Sequence, residues 1–104
     1  MVVGTPGGST IITSVYQAIL NVVEWDMTAT EAVQSCRFHH QWKPNQVMFE
    51  GECADETVKS ELAALGHELV ERGKIGRVEA IVVQEDGSLE IAADTRGDDT
   101  AMGY

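Results

Sequence analysis

The sequence predicts an α+β fold in which helices pack on a mostly antiparallel sheet, and three observations carry that reading. Apolar residues recur at three- and four-residue intervals between positions 11 and 23, two further segments open on Thr or Asp caps, and positions 78–93 read as a hairpin around Asp86-Gly87. Helices mixed with a hairpin, without regular alternation of helix and strand, point away from a doubly wound parallel sheet. The chain has 104 residues, 43% of them hydrophobic, which supports a single domain over 1–104.

Val2-Val3 reads as the end of a strand, followed by the turn Gly4-Thr5-Pro6-Gly7-Gly8. Ser9 or Thr10 then caps a helix to about Trp25. Its stripe is Ile12, Val15, Ile19 and Val22, widened by Ile11, Ala18 and Val23, so the helix is apolar over most of its girth and belongs against a sheet. A short helix starts at Thr28 or Thr30 and runs to about Cys36. No period is sustained over residues 37–43, and Pro44-Asn45 marks a turn before a strand at 46–50. Asp55 or Thr57 opens a third helix from Glu56 to about Leu65, stopped by Gly66. A short strand at 67–70 follows, then the hairpin 78–83 and 89–93, then an irregular Gly- and Asp-rich tail from Asp94.

Seventeen acidic residues against seven basic ones give a formal charge of -10, which excludes nucleic acid and an anionic membrane surface as partners. The segment Ile11 to Val23 is broken by Thr13, Ser14, Gln17 and Asn21 and falls short of the roughly 20 apolar residues that a bilayer span needs. The start Met1-Val2-Val3-Gly4 has neither the basic region nor the apolar stretch of a signal peptide, so an export address would lie outside this chain.

Cys36 and Cys53 have no CxxC or Cys/His ligand spacing, so neither a metal site nor a redox motif is predicted; the reading is two reduced, partly buried thiols, with a disulfide as the alternative. His39 and His40 would point to opposite faces of an extended chain, and together with His67 they read as structural. Arg37 and Arg96 read as holding a buried ion pair or tying down the acidic tail. Glu85-Asp86 and Asp98-Asp99 lack the carboxylate ladder of a calcium loop, and Trp25, Trp42 and Phe49 read as core or interface packing. No cofactor motif is present. There is no Gly-x-Ser-x-Gly, no cysteine with an activating neighbourhood, and no N-terminal Thr, Ser or Cys.

The opening turn is the segment that carries chemistry. Consecutive glycines ahead of a helix let backbone N–H groups of Gly7 and Gly8 face a carboxylate, a phosphate or a developing oxyanion, with the helix dipole adding positive potential. The loop has neither the Lys-Ser/Thr ending of a P-loop nor dinucleotide spacing.

Three blocks in order extend this reading: Gly4-Thr5-Pro6-Gly7-Gly8-Ser9-Thr10-Ile11-Ile12-Thr13 with Asn21 after it; Glu31-Ala32-Val33 and Arg37-Phe38-His39-His40-Gln41-Trp42; and Asp94-Thr95-Arg96-Gly97-Asp98-Asp99 to Gly103-Tyr104. They resemble gamma-glutamyltransferases over essentially the whole chain. The resemblance implies the C-terminal portion of a small subunit of the N-terminal nucleophile hydrolase (αββα) type, with helices flanking two sheets. It implies transfer of the gamma-glutamyl group of glutathione or related amides to water, amino acids or peptides through a threonine acyl-enzyme, with no cofactor. Gly7 and Gly8 match the family glycines whose amides bind the tetrahedral oxyanion and hence the substrate's reacting group. Thr5 stands for a more usual Ser, and Thr95 where Pro often precedes the arginine.

The family's nucleophile, its paired serines and its glutamyl-holding residues would lie upstream of Met1. The partners implied are therefore the large subunit and the N-terminal part of the small subunit, with a glutathione-like small molecule. The chain alone is expected to be inactive, and a full-length parent to be periplasmic or extracellular. Two alternatives stay open: a stand-alone structural or interaction module that forms a homo-oligomer through uncovered faces, and a fragment of a related acylase.

Overall fold

A computed structural model describes residues 1–51 and 53–103; Tyr104, the last residue of the third block above, lies outside the described residues. Two compact units emerge. Residues 1–35 with 76–104 form the first, and residues 36–75 the second.

The first unit contains strand β1 (Val2–Gly4), a 3-10 turn (Gly8–Thr10), helix α1 (Ile11–Val23) and helix α2 (Ala29–Gln34). The hairpin completes it. In the unit-wide numbering that runs through the whole chain, the second unit supplies β2 (Phe38–His39), β3 (Gln46–Glu50), α3 (Glu56–Ala64) and β4 (Glu68–Arg72), and the hairpin is β5 (Glu79–Val83) with β6 (Leu89–Ala92). The first sheet has the order β1-β5-β6, antiparallel throughout, with Val2 opposite Ile81 and Ala80 opposite Ala92. Alternation sends Ala80 and Ala92 into a core with Ala18, Ala29, Val33 and Val78, where Val3 and Val82 pack against it. Val2, Ile81, Val83 and Leu89 remain exposed.

Helix α1 begins directly after Thr10, one of the two cap positions read from the sequence, but differs in how it packs. Its buried residues are Ser14 and Ala18, whereas Ile12 is 79% exposed and Tyr16 and Val23 are also exposed. Small residues make up the fully buried face, Val15, Leu20 and Val22 are half-buried beside it, and Ile12, Tyr16 and Val23 face outward. Helix α2 is fixed at both ends. Thr28 and Glu31 form a reciprocal capping box, and the Glu90 carboxylate on β6 accepts from the Ala29 N–H at 3.0 Å. At the other end Arg96 donates to the Val33 and Ser35 carbonyls at 3.1 and 2.9 Å and pairs with the buried Asp94 at 3.0 Å. This is the tail-tying role read for Arg96.

In the second unit β2 pairs antiparallel with β3, and β3 pairs parallel with β4 over five residues. Helix α3 makes the crossover that a parallel pair requires. The parallel pair and the two-residue β2 are departures from the sequence pattern, while three of the four pairings are antiparallel as predicted. Arg37 is buried and donates to the Ile75 carbonyl at 2.9 Å; the buried Glu50 carboxylate accepts the N–H groups of Arg37 and Ile75 at 3.0 and 2.6 Å.

Cys36 and Cys53 form a disulfide, which corrects the expectation of two reduced thiols. The antiparallel β2–β3 register sets Phe38 opposite Phe49, so the residues before β2 and after β3 meet at one end, with Cα atoms 5.8 Å apart. That meeting is a product of pairing register and is invisible in the spacing. Phe49 is buried, but Trp25 and Trp42 are 70% and 73% exposed, so a core role holds only for Phe49.

Candidate oxyanion-binding loop

β1 delivers the chain into residues 5–8, and α1 leads away from them. Gly7 has φ +138° and Gly8 φ +60°, both in the region that favours glycine. A Cβ on Gly7 would lie 2.6 Å from the Thr10 Oγ1, whereas one on Gly8 would meet open space. Glycine at position 7 is thus required by conformation and by contact, and at position 8 by conformation alone.

The Pro6 and Gly7 carbonyls of this loop are engaged. Thr5 Oγ1 donates to the Pro6 carbonyl at 2.7 Å and accepts the Arg77 N–H at 2.7 Å. Thr10 does not cap α1 through its side chain; its Oγ1 donates back to the Gly7 carbonyl at 2.9 Å, which also accepts the Thr10 N–H at 3.2 Å. The N–H groups of Gly7 and Gly8 have no acceptor among the described residues, and both glycines are exposed. Two uncommitted N–H groups at the approach to a 13-residue helix can therefore donate to an anion, with the helix dipole favouring it.

The other residues singled out in the sequence fall elsewhere. His39 is buried with its Nε2 2.8 Å from Gln41 Oε1; His40 Nε2 is 3.1 Å from Asn45 Oδ1, and its ring stands edge-on to His67 with centroids 6.1 Å apart. All three lie in the second unit, and His39 and His40 have separate polar partners. Asp86 accepts from the Ser88 N–H and hydroxyl in the hairpin turn, and Asp99 pairs with Arg77 at 2.9 Å. The one described group with a three-ligand arrangement is Cys36, Glu50 and Cys53, whose two sulfurs are bonded to each other.

A groove of about 420 Å³ on the first sheet is lined by residues that include Val2, Gly4, Glu79, Ile91 and Met102, and it does not include the loop glycines. Burial, followed by the negative charge of Asp99, raises the Glu79 carboxyl above its ordinary value. Sequence reasoning reads Thr10 as a helix cap and gives Thr5 no partner; their hydrogen bonds depend on hydroxyl direction and, for Thr5, on a backbone N–H 72 positions away.

The gamma-glutamyltranspeptidase family model matches residues 1–104. The glutathione hydrolase proenzyme of Escherichia coli (strain K12) is 38% identical over 105 residues, covering 100% of this chain and 18% of that protein. The glutathione hydrolase proenzyme of Pseudomonas aeruginosa is 40% identical over 101 residues, covering 93% of this chain and again 18% of the relative. Among solved structures, gamma-glutamyltranspeptidase from Pseudomonas nitroreducens complexed with L-DON superposes with a TM-score of 0.89 at 35% identity, covering 98% of this chain and 54% of that one. The chain spans less than a fifth of the curated relatives' length. The α+β fold is shared with these structures, and it is of the N-terminal nucleophile hydrolase type.

Proposed function

The chain belongs to the gamma-glutamyltranspeptidase family, and from that premise we propose that it is the oxyanion-binding portion of an enzyme that transfers gamma-glutamyl groups from glutathione-like amides. The observation that carries this reading is the pair of uncommitted N–H groups at Gly7 and Gly8, in a loop whose Pro6 and Gly7 carbonyls are already engaged. A hydroxyl nucleophile supplied from outside residues 1–104 attacks the amide carbonyl carbon. The carbonyl oxygen gains negative charge, and the two N–H groups donate to it. The tetrahedral species then breaks its C–N bond, the nitrogen leaving as an amine with the proton that the hydroxyl gave up, and the acyl-enzyme is resolved by water, an amino acid or a peptide. Donors fixed before the charge develops need no reorganisation when it does, and one such donor is worth about 10²–10³ in rate.

Partners follow from the same reading. The remainder of the enzyme covers the apolar faces left open here and brings the nucleophile and the groups that hold the glutamyl moiety. The test compares the purified 104-residue chain with a polypeptide extended by the coding sequence upstream of Met1, using a gamma-glutamyl anilide. The short chain is expected to release no anilide and the extended one to turn over. Turnover by the short chain, or an upstream sequence without a threonine-led segment, would sink the proposal.

A further inference from the structure

We propose that the hydroxyls of Thr5 and Thr10 are positioning groups that aim the two N–H donors of the glycine loop, an inference that rests on the oxyanion role above. The argument begins with the peptide bond. Each peptide is planar, so its C=O and its N–H point in opposite directions and cannot turn independently. The Pro6 carbonyl and the Gly7 N–H belong to one such plane, and the Gly7 carbonyl and the Gly8 N–H to the next. Thr5 Oγ1 holds the first plane by its oxygen at 2.7 Å, and Thr10 Oγ1 holds the second at 2.9 Å. Fixing each oxygen fixes the opposite donor.

The hydroxyl directions are themselves determined. The Arg77 N–H can only donate, so Thr5 Oγ1 accepts from it and its own hydrogen goes to the Pro6 carbonyl. Arg77 lies just before β5, which pairs with β1, so the first plane is referred to the sheet and not merely to the loop. Thr10 is 2% exposed, and packing holds its side chain. Its Oγ1 occupies the space that a Cβ on Gly7 would need, so the absence of a side chain at 7 and the hydrogen bond from 10 are one device.

The need for such anchors follows from the glycines. Two consecutive glycines have wide φ/ψ freedom, and an unanchored pair would spread its N–H groups over many directions. An oxyanion hole works through donors that are already aimed, so pinning from the carbonyl side supplies order without consuming the donors. A cap formed by Thr10 on the α1 amides would stabilise the helix but leave the Gly7–Gly8 plane free. The observed hydroxyl points back into the loop.

The test uses the extended, active polypeptide for kinetics and the 104-residue chain for dynamics. Thr5→Val and Thr10→Val remove the hydroxyls at nearly constant shape, while Thr5→Ser and Thr10→Ser keep them. Each Val variant is expected to lower kcat for a gamma-glutamyl anilide by about tenfold or more, a fraction of the loss of a whole donor, with KM within about twofold, and each Ser variant to retain kcat within about threefold. In the short chain, the Gly7 and Gly8 N–H order parameters are expected to be near 0.85 in the wild type and below about 0.6 in the corresponding Val variant. Unchanged kcat and order parameters in the Val variants, or an effect confined to KM or to thermal stability, would overturn the positioning role. An inactive extended wild type would instead overturn the oxyanion reading, and the order parameters would still decide whether the hydroxyls fix the planes.

Discussion

At the residue scale, the two loop glycines separate conformational from steric demand. Gly7→Ala places a Cβ 2.6 Å from Thr10 Oγ1 and forces an L-residue to φ +138°, whereas Gly8→Ala meets only its φ of +60° in open space. Gly8→Ala should therefore cost about 1–2 kcal/mol of stability, and Gly7→Ala more, with the order read from urea denaturation of the two variants. Equal losses would contradict the contact with Thr10. Glu79 gives a pH-dependent counterpart. Its carboxyl is raised by burial and then by Asp99, so the folded state binds a proton more readily than the unfolded one. Stability from this group is fully present below its unfolded value and falls as pH rises through the raised one. Glu79→Gln should thus gain stability over wild type at neutral pH, with the gain shrinking on acidification, as thermal melts at several pH values would reveal.

At the element scale, the Cys36–Cys53 bridge closes the β2–β3 end across a separation of 17 residues. Chain entropy makes such a link worth about 3 kcal/mol, so reduction, or the double Cys→Ser variant, should lower the denaturation midpoint accordingly; an unchanged midpoint would remove the bridge from the account of stability. What the sequence made legible follows the same scale. α2, α3 and the β5–β6 hairpin were readable because their signals are local: the Thr28 capping box, the Asp55 cap and the Asp86-Gly87 turn. The buried face of α1 was not, because Ser14 and Ala18 carry it and a hydrophobic stripe of Ile and Val draws attention to the opposite side. The β3–β4 pairing was not legible either, since residues 68–72 carry no mark of a parallel neighbour. In the loop, the glycines announce themselves, whereas the threonine hydroxyls could have pointed to any nearby acceptor.

At the scale of the whole molecule, the exposed apolar residues are too many for an isolated chain. Ile12, Tyr16 and Val23 on α1, with Val2, Ile81, Val83 and Leu89 on the first sheet, account for faces that water covers poorly. No helix among the described residues is long and apolar enough to cross a membrane. With these faces uncovered the chain should associate with itself despite a charge of -10, more so at salt concentrations that shorten the Debye length to about 8 Å. Light scattering across a concentration series checks this, and a strict monomer throughout would count against these faces as contact surfaces.

The antiparallel register of β1 with β5 joins Val2 to Ile81, and the hydrogen bond from the Arg77 N–H to Thr5 spans nearly the same interval. Such long-range closures form late, because the intervening chain must surrender its freedom first. During synthesis the glycine loop emerges ahead of β5, and its Thr5 hydroxyl has no Arg77 N–H to accept from until that stretch follows. The shape of the loop thus matures only after its distant anchor has been made, so the order of the glycine turn depends on a residue 72 positions further along the chain.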